Sequence, residues 1–323
     1  MKRVNNLFEK VIDTENLSLA LHNAAKGKYH YREVKNIIKN PLPYIYALHE
    51  VLAAESFKNG KYHIFKRQMG KKERVIYRLP FYPDRVLHHA LVQVLEPIWM
   101  QVLIHQTYST IPKRGVHGGL KHLKRDLLKC ETTYCLKLDI EKFYPSVNNA
   151  ILLDILSRKI KDKRLMELLT VIVNSAEGIP IGNYISQWFG NMYLAYFDHY
   201  VKENLKCRYY YRYCDDLVLL SDSKETLFMW LESIRTYLKN ELKLSLKDNY
   251  QIFPVSARGI DFLGYRFFKG YTLVRKSIVK QMKNRINSEK SMSSYYGWLI
   301  HADSYRLLKK YFSDKPYAQR FVA

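Results

Sequence analysis

The chain has 323 residues, enough for one large domain or two to three smaller ones around a buried core. Hydrophobic residues make up 47% of it, which excludes wholesale disorder. Lys and Arg number 53 against 30 Asp and Glu, a formal charge of +23; such a field attracts polyanions, so nucleic acid or an anionic membrane is the expected partner. The 27 tyrosines offer flat rings that suit base stacking and plain packing alike.

The opening MKRVNNLFEKVIDTENLSLA holds no uninterrupted apolar stretch, so no secretory signal is expected. The most apolar segment, LVQVLEPIWMQVLI (91–104), is interrupted by Gln93, Glu96, Pro97 and Gln101, and is too short and polar to cross a bilayer. Cys130, Cys135, Cys207 and Cys214 are unclustered, which argues against structural zinc and fits a reducing cytoplasm. No repeat or low-complexity linker divides the chain, so its parts are expected to pack as one body.

Residues 1–60 have a helical period, with Leu7, Val11 and Ile12 at matching intervals. HIFKRQMGKKERVIYRLP (63–80) predicts a basic hairpin: β-like runs end at Phe65 and restart at Val75, around a tip of Lys66, Arg67, Gly70, Lys71 and Lys72. After Pro83 a helix is expected, with Asp84 as its N-cap. CLKLDI (135–140) is a short apolar strand that ends in an acid, followed by a helical stretch over about 148–175 and a turn at GIPIG (178–182). ISQWFGNMYLAYFDHYV (185–201) is helical in period, and RYYYRYCDDLVLL (208–220) is strand–turn–strand with Cys214, Asp215 and Asp216 in the turn. An amphipathic helix covers 224–242, IDFLGYRFF and YTLVRK form a second hairpin, and 269–323 is helical and cationic.

Asp139 closes one strand; Asp215 and Asp216 occupy the turn between two others. If the strands are neighbours, three acids meet at one sheet edge, which is costly unless cations neutralise them. Lys or Arg could do so; so could two Mg²⁺ ions, which would also drive in-line phosphoryl chemistry. An isolated Asp-Asp pair is most often a solvated turn. Here it belongs to an ordered set: a Leu-Asp-Ile-x-x-Phe-Tyr strand end, a Gly-x-x-x-Ser-Gln helix start, then Tyr-x-Asp-Asp.

On these residues the sequence resembles reverse transcriptases. Leu138-Asp139-Ile140-Glu141-Lys142-Phe143-Tyr144-Pro145-Ser146 is similar to their first palm motif, and Ile179 to Gln187, continuing to Asn191, to the second. Tyr213-Cys214-Asp215-Asp216 is similar to the third, Phe262-Leu263-Gly264-Tyr265 to the primer grip, and Arg74 with Tyr82-Pro83-Asp84-Arg85-Val86-Leu87 to the fingers motifs. The ordered combination, over about residues 60–312, is specific although each piece alone is weak. Ile181-Gly182-x-x-x-Ser186-Gln187 most resembles the diversity-generating retroelement group of bacteria and phages, as do Gly259 to Tyr265 with Leu273 to Ser277, and Gly297-Trp298-Leu299-x-His301-Ala302-Asp303.

The resemblance implies an α+β right-hand polymerase of fingers, palm and thumb, with an antiparallel palm sheet backed by helices. Its parts would be 1–80 (N-terminal helices and fingers hairpin), 81–268 (palm, with fingers helices at about 148–178) and 269–323 (basic thumb, leaving no room for an RNase H module). The implied reaction is magnesium-dependent copying of a template-repeat RNA into cDNA with errors at adenines, for mutagenic retrohoming into a variable repeat. Asp139, Asp215, Asp216 and the Ile140 carbonyl would hold two Mg²⁺, and Tyr144 would be the gate against ribonucleotides. Arg74, Lys72, Ile181, Gly182 and Gln187 would contact the dNTP, with Lys71 equally open. Phe262, Leu263, Gly264 and Tyr265 would grip the primer, and Lys276, Lys280 and Lys283 the nucleic-acid backbone.

Ile181 stands where accurate members carry Gln; losing those polar groups leaves shape as the filter, which predicts low fidelity. The usual proton-donor lysine position holds Asn249, with Lys247 nearby, and no donor is assigned. His88, His89, His117 and His122 lack metal-ligand spacing and are read as packing or phosphate contacts. Expected partners are template RNA, the RNA–cDNA duplex, dNTPs and a small, basic, oligomeric accessory protein in a bacterial cytoplasm, with no membrane. Rival readings are another bacterial reverse transcriptase, such as a retron or phage-defence enzyme, and an RNA-binding scaffold.

Overall fold

The computed structural model describes residues 3–69, 72–286 and 288–312. In chain order the elements begin with α1 (Phe8–Ile12), α2 (Thr14–Ala25), α3 (Arg32–Lys39), α4 (Leu42–Ala53), β1 (His63–Met69), β2 (Lys72–Arg78) and α5 (Val86–Trp99). They continue with α6 (Val116–Asp126), β3 (Tyr134–Asp139), α7 (Phe143–Ser146), α8 (Asn149–Ser157), α9 (Lys163–Val173), α10 (Ser186–Tyr193) and α11 (Ala195–His199). The last are β4 (Tyr209–Tyr213), β5 (Asp216–Ser221), α12 (Lys224–Leu242), β6 (Gln251–Pro254), α13 (Val255–Arg258), β7 (Ile260–Phe262), β8 (Tyr265–Phe267), β9 (Thr272–Val274), α14 (Lys276–Arg285), α15 (Glu289–Leu299) and α16 (Tyr305–Phe312). No described helix is long and apolar enough to cross a membrane.

The chain divides into two compact units. The first comprises residues 1–104, 140–200 and 236–245, and the second 105–139, 201–235 and 246–323.

In the first unit α2 packs along α5, and Leu17, Ala20, Leu21, Leu91 and Leu95 are buried with almost no exposure. Asp13 caps α2 by accepting from the N–H groups of Glu15 and Asn16. The basic hairpin pairs His63 with Arg78 through Met69 with Lys72. Its strands are longer than the apolar runs suggest: Lys66 and Arg67 lie within β1, because ladder hydrogen bonds carry the strand past the apolar residues. Gly70 and Lys71 of the expected tip lie outside the described residues. Asp84 does not cap α5. It is fully buried, and its Oδ1 accepts instead from the Gly60 N–H at 2.9 Å, while Arg85 occupies the capping position. The expected helix over 148–175 is two helices, because Asp162 caps α9 through the Leu165 N–H and also accepts from the N–H groups of Leu7 and Phe8. The helical period of 185–201 is likewise broken, at Leu194 between α10 and α11.

In the second unit the sheet order is β4-β5-β3-β6, every pair antiparallel. Leu136, Leu138, Leu217 and Leu219 lie on one face, and Cys135, Val218 and Leu220 on the other; all are buried. Burial on both faces makes these strands near-continuous apolar runs whose acids come only at the ends. Leu120 and Leu123 of α6 share a core with Tyr211, Val218, Phe253, Phe262 and Phe267. Strand β6 escapes the sequence reading because it is four residues long and ends in a proline, which is tolerated on an edge. The second hairpin is a three-stranded meander, β7-β8-β9. Its first turn, Leu263-Gly264, has positive φ at both residues (52° and 84°), so the IDFLGYRFF run folds on itself before YTLV joins it. The cationic C-terminal segment expected to be helical from 269 begins instead with β9, which pairs with β8; it is helical in α14, α15 and α16, and 313–323 lies outside the described residues.

Candidate active site

The acids of the second unit are brought together by strand register. Asp139, last in β3, is the direct antiparallel partner of Asp216, first in β5. Facing residues share one side of a sheet, so the two carboxylates are cross-strand neighbours. Asp215 precedes Asp216 in the two-residue turn that joins β4 to β5. The other turn residue, Cys214, has a φ of 54°, uncommon outside glycine. Its Sγ lies 2.8 Å from Ser109 Oγ, and its carbonyl accepts from Nη1 of the fully buried Arg212 at 3.3 Å.

Two lysines hold the paired carboxylates. Lys137 Nζ donates to Asp216 Oδ1, and Lys247 Nζ sits 2.5 Å from Asp139 Oδ1. The second ion pair lacks hydrogen-bond alignment, so Asp139 Oδ1 is buried without a hydrogen bond. The Lys247 N–H also donates to the Asp139 carbonyl at 2.9 Å, fixing that lysine at the strand end. Burial pushes the Asp216 carboxyl up to about 6 against the pull of Lys137, with the charges of Asp139 and Asp215 adding to the rise.

This donor set fits a hard divalent cation: carboxylate oxygens on facing strands, a third acid one residue away, and a buried oxygen lacking a hydrogen bond. The three acids are not already gathered, however. Among the described residues no three Asp, Glu, His or Cys side chains form a group able to hold a metal. The sheet unites two carboxylates, and ammonium groups stand against them. A cavity of about 300 Å³ opens beside the pair, lined by Lys137, Asp139, Asp216, Asn249, Gln251, Asp261 and Arg275. Arg275 Nε donates to Asp261 Oδ1 at 2.7 Å. Of these, Asp261 and Arg275 fall within quoted motif runs without an assigned role, and Lys137 is a charge beside the first motif; the fold shows what each of them meets.

Phe262 and Tyr265 of the expected primer grip are fully buried core residues, and Leu263 is 7% exposed. An added Cβ at Gly264 would lie 2.5 Å from the Trp298 ring. This segment therefore offers backbone rather than aromatic faces to any ligand. Lys276, Lys280 and Lys283 are exposed along α14 at helical spacing. His122 Nδ1 lies 2.8 Å from the Tyr108 hydroxyl, and His117 packs against His301 with ring centroids 4.0 Å apart.

The first unit holds the other expected residues. The backbone of the second motif is tied to the hairpin: the Tyr77 N–H donates to the Ile181 carbonyl at 2.8 Å. Gly182 has a φ of 135°, and a Cβ there would lie 2.3 Å from the Tyr77 carbonyl oxygen. Only glycine permits this approach. Arg74 is exposed on β2, directly opposite Arg67, so two guanidinium groups share one face. Lys72 begins β2. Tyr144 is half-buried beside Phe143, ring centroids 5.3 Å apart, and Gln187 is half-buried in the first turn of α10.

A cavity of about 280 Å³ in this unit is lined by Lys28, Tyr31, Arg78, Arg85, Gly182, Asn183 and Tyr184. Burial lowers the Lys28 pKa, and the charges of Arg85 and Arg78 lower it further; the lining holds these three cations against one carboxylate, Glu33, a net positive wall. Lys28 and Arg78 carry no motif signal, and their convergence appears only in the fold. His88 and His89 are buried and their pKa values are lowered to about 3 by desolvation, with His89 stacked on Tyr184 at 3.7 Å. His88 also lines the cavity.

A family model described as reverse transcriptase (RNA-dependent DNA polymerase) matches residues 64–267. Protein YkfC of Escherichia coli K12 is 26% identical over 237 residues, covering 59% of this chain and 62% of that protein. The group II intron-encoded protein LtrA of Lactococcus lactis subsp. cremoris is 20% identical over 309 residues, covering 70% of this chain and 51% of its own length. The chain thus spans about half to three-fifths of these relatives. Telomerase from Candida albicans, solved in complex with a TWJ fragment of telomeric RNA, superposes with a TM-score of 0.50 at 12% identity, over 80% of this chain and 57% of that one. The likeness is one of fold, and the α+β right-hand polymerase class is the one the chain shows.

Proposed function

The chain belongs to the reverse transcriptase family, and on that premise we propose that it is an RNA-directed DNA polymerase that extends a primer 3′-hydroxyl with dNTPs along an RNA template. The observation that carries the reading is the register of Asp139 against Asp216, with Asp215 in the adjoining turn.

Asp139, Asp215, Asp216 and the Ile140 carbonyl would hold two Mg²⁺ ions, which when bound lower the pKa of the attacking hydroxyl and neutralise the departing pyrophosphate. The chain's own residues do the rest. Arg74, with Lys72, grips the triphosphate, since a guanidinium makes paired bonds to phosphate oxygens. The Gly182 backbone and Gln187 position the nucleotide, and the Tyr144 ring crowds a 2′-hydroxyl. The turn at Leu263-Gly264 supports the primer end through its backbone, and Lys276, Lys280 and Lys283 track the duplex phosphates. The cationic cavity around Lys28, Arg78 and Arg85 supports an RNA partner.

A primer-extension assay on an RNA template tests this. Asp215→Asn should lower the rate by about a hundred- to a thousand-fold while RNA binding persists, given what removing charge stabilisation costs a transition state. An RNA-binding scaffold would be indifferent to that change.

Within this activity we read the chain as a diversity-generating retroelement enzyme that acts on template-repeat RNA with a small basic accessory protein. The aliphatic Ile181 before Gly182 supports that reading. Adenine-focused errors in the cDNA, reduced in Ile181→Gln, are the expected result; an unchanged spectrum refutes the role of Ile181. The similarity to an intron-encoded protein favours a second reading, a bacterial reverse transcriptase of ordinary fidelity, for which errors would be spread evenly over the four bases.

A further inference from the structure

We propose that Lys137 is the resident counter-cation of the acidic site: its ammonium occupies the Asp216 carboxylate until divalent ions displace it, and so sets how tightly the site takes them. The inference rests on the reading of Asp139 and Asp216 as metal-holding acids. It adds a residue and a loading step to that reading.

Strand geometry puts Lys137 where it can do this. Residues two apart in a strand share a face, so Lys137 and Asp139 project together from β3. Asp216 faces Asp139 across the ladder and is therefore diagonal to Lys137, within reach of a long side chain. The Lys137 side chain is 20% exposed, between the fully buried Leu136 and Leu138. A buried ammonium is costly unless it is paired, and two groups hold this one: the Asp216 carboxylate and the Phe262 ring, whose centroid is 5.1 Å from Nζ. Lys247 forms an ion pair with Asp139, without a hydrogen bond, from the segment that precedes β6. Two ammonium groups thus cancel two carboxylates, and the metal-free pair does not repel itself open.

A divalent ion must take the oxygens that these lysines hold. Lys137 is anchored through β3 and cannot leave. Its stem lies beside the adjoining cavity, which Asp261 also lines, with Nζ over the Phe262 ring. The retained positive charge beside the ion weakens binding, and each ion that enters releases an ammonium from a carboxylate. A purely structural ion pair would support the sheet without changing cation affinity.

The test is a Mn²⁺ titration of the full chain without substrate, followed by the electron paramagnetic resonance signal of free Mn²⁺. Lys137→Met should bind roughly ten-fold more tightly than the unaltered chain, and Lys137→Arg, which keeps the charge, should stay within about two-fold of it. Lys137→Gln gives the same reading if the methionine variant does not melt cooperatively. Equal or weaker binding in the neutral variants, or equal tightening in Lys137→Arg, overturns the proposal. Asp216→Asn separates the two levels of inference: if it leaves Mn²⁺ binding unchanged, the metal-site reading itself fails and the role of Lys137 goes with it. If Asp216→Asn weakens binding but Lys137→Met does not tighten it, only the role of Lys137 fails.

Discussion

Replacing Gly182 by alanine perturbs the second motif at one atom. The added Cβ would lie 2.3 Å from the Tyr77 carbonyl oxygen and 3.2 Å from the Tyr77 carbonyl carbon, and both are backbone, so no side chain can swing away. The φ of 135° is itself unfavourable for a residue with a Cβ, by about 1–3 kcal/mol. Relief requires the loop to rotate off β2, which breaks the hydrogen bond from the Tyr77 N–H to the Ile181 carbonyl, a further loss of about 1 kcal/mol. Together these give a destabilisation of about 2–4 kcal/mol, read by urea unfolding. The displaced residues include Ile181, so primer extension should show a raised KM for dNTP even where the protein remains folded. Gly118→Ala is the control: nothing lies within 4 Å of its added Cβ, and alanine in a helix should be neutral or stabilise by up to about 1 kcal/mol. A Gly182→Ala protein with unaltered stability and dNTP KM would show that the contact with Tyr77 constrains nothing.

Two further predictions concern stability. His88 is fully buried and its pKa is lowered to about 3, whereas the unfolded chain titrates near 6.5, so its contribution is complete above pH 6.5 and is lost as pH falls toward 3. Unfolding free energy should drop by about 1.4 kcal/mol per pH unit in that window from this residue alone, and His88→Leu should flatten the profile by that slope; parallel profiles would refute the assignment. Asp162→Ala removes the acceptor for three N–H groups, those of Leu7, Phe8 and Leu165, at 2.7, 2.8 and 3.2 Å. Urea unfolding should show a loss of about 2–4 kcal/mol, partly recovered in Asp162→Asn; a loss below about 0.5 kcal/mol would mean that water replaces the carboxylate.

What the sequence made legible follows a physical rule. Strands buried on both faces appear as apolar runs, so β3 and β5 stand out, and their terminal acids stand out with them. The helix over 224–242 is visible because one stripe of it is apolar. Less visible are features set by partners far along the chain. Asp84 has the composition of an N-cap, yet the Gly60 N–H, brought alongside by the fold, holds it instead. Asp162 divides one periodic stretch into two helices because it also serves the backbone at Leu7 and Phe8. The short edge strand β6 is silent in composition.

The same rule explains why the acids of the site could be named and their counter-charges could not. Motif order identifies Asp139 and Asp216 because the chemistry needs carboxylates at strand ends. Which of 53 lysines and arginines neutralise them depends on register. Once β3 pairs with β5 and β6, Lys137 falls diagonal to Asp216, and the Lys247 backbone is fixed by the Asp139 carbonyl. The expectation that acids cluster only around a cation therefore holds before any metal arrives, with ammonium groups supplying the charge. The free energy of loading the site is then that of an exchange between cations, so removing one resident charge is the change to which it should respond most strongly.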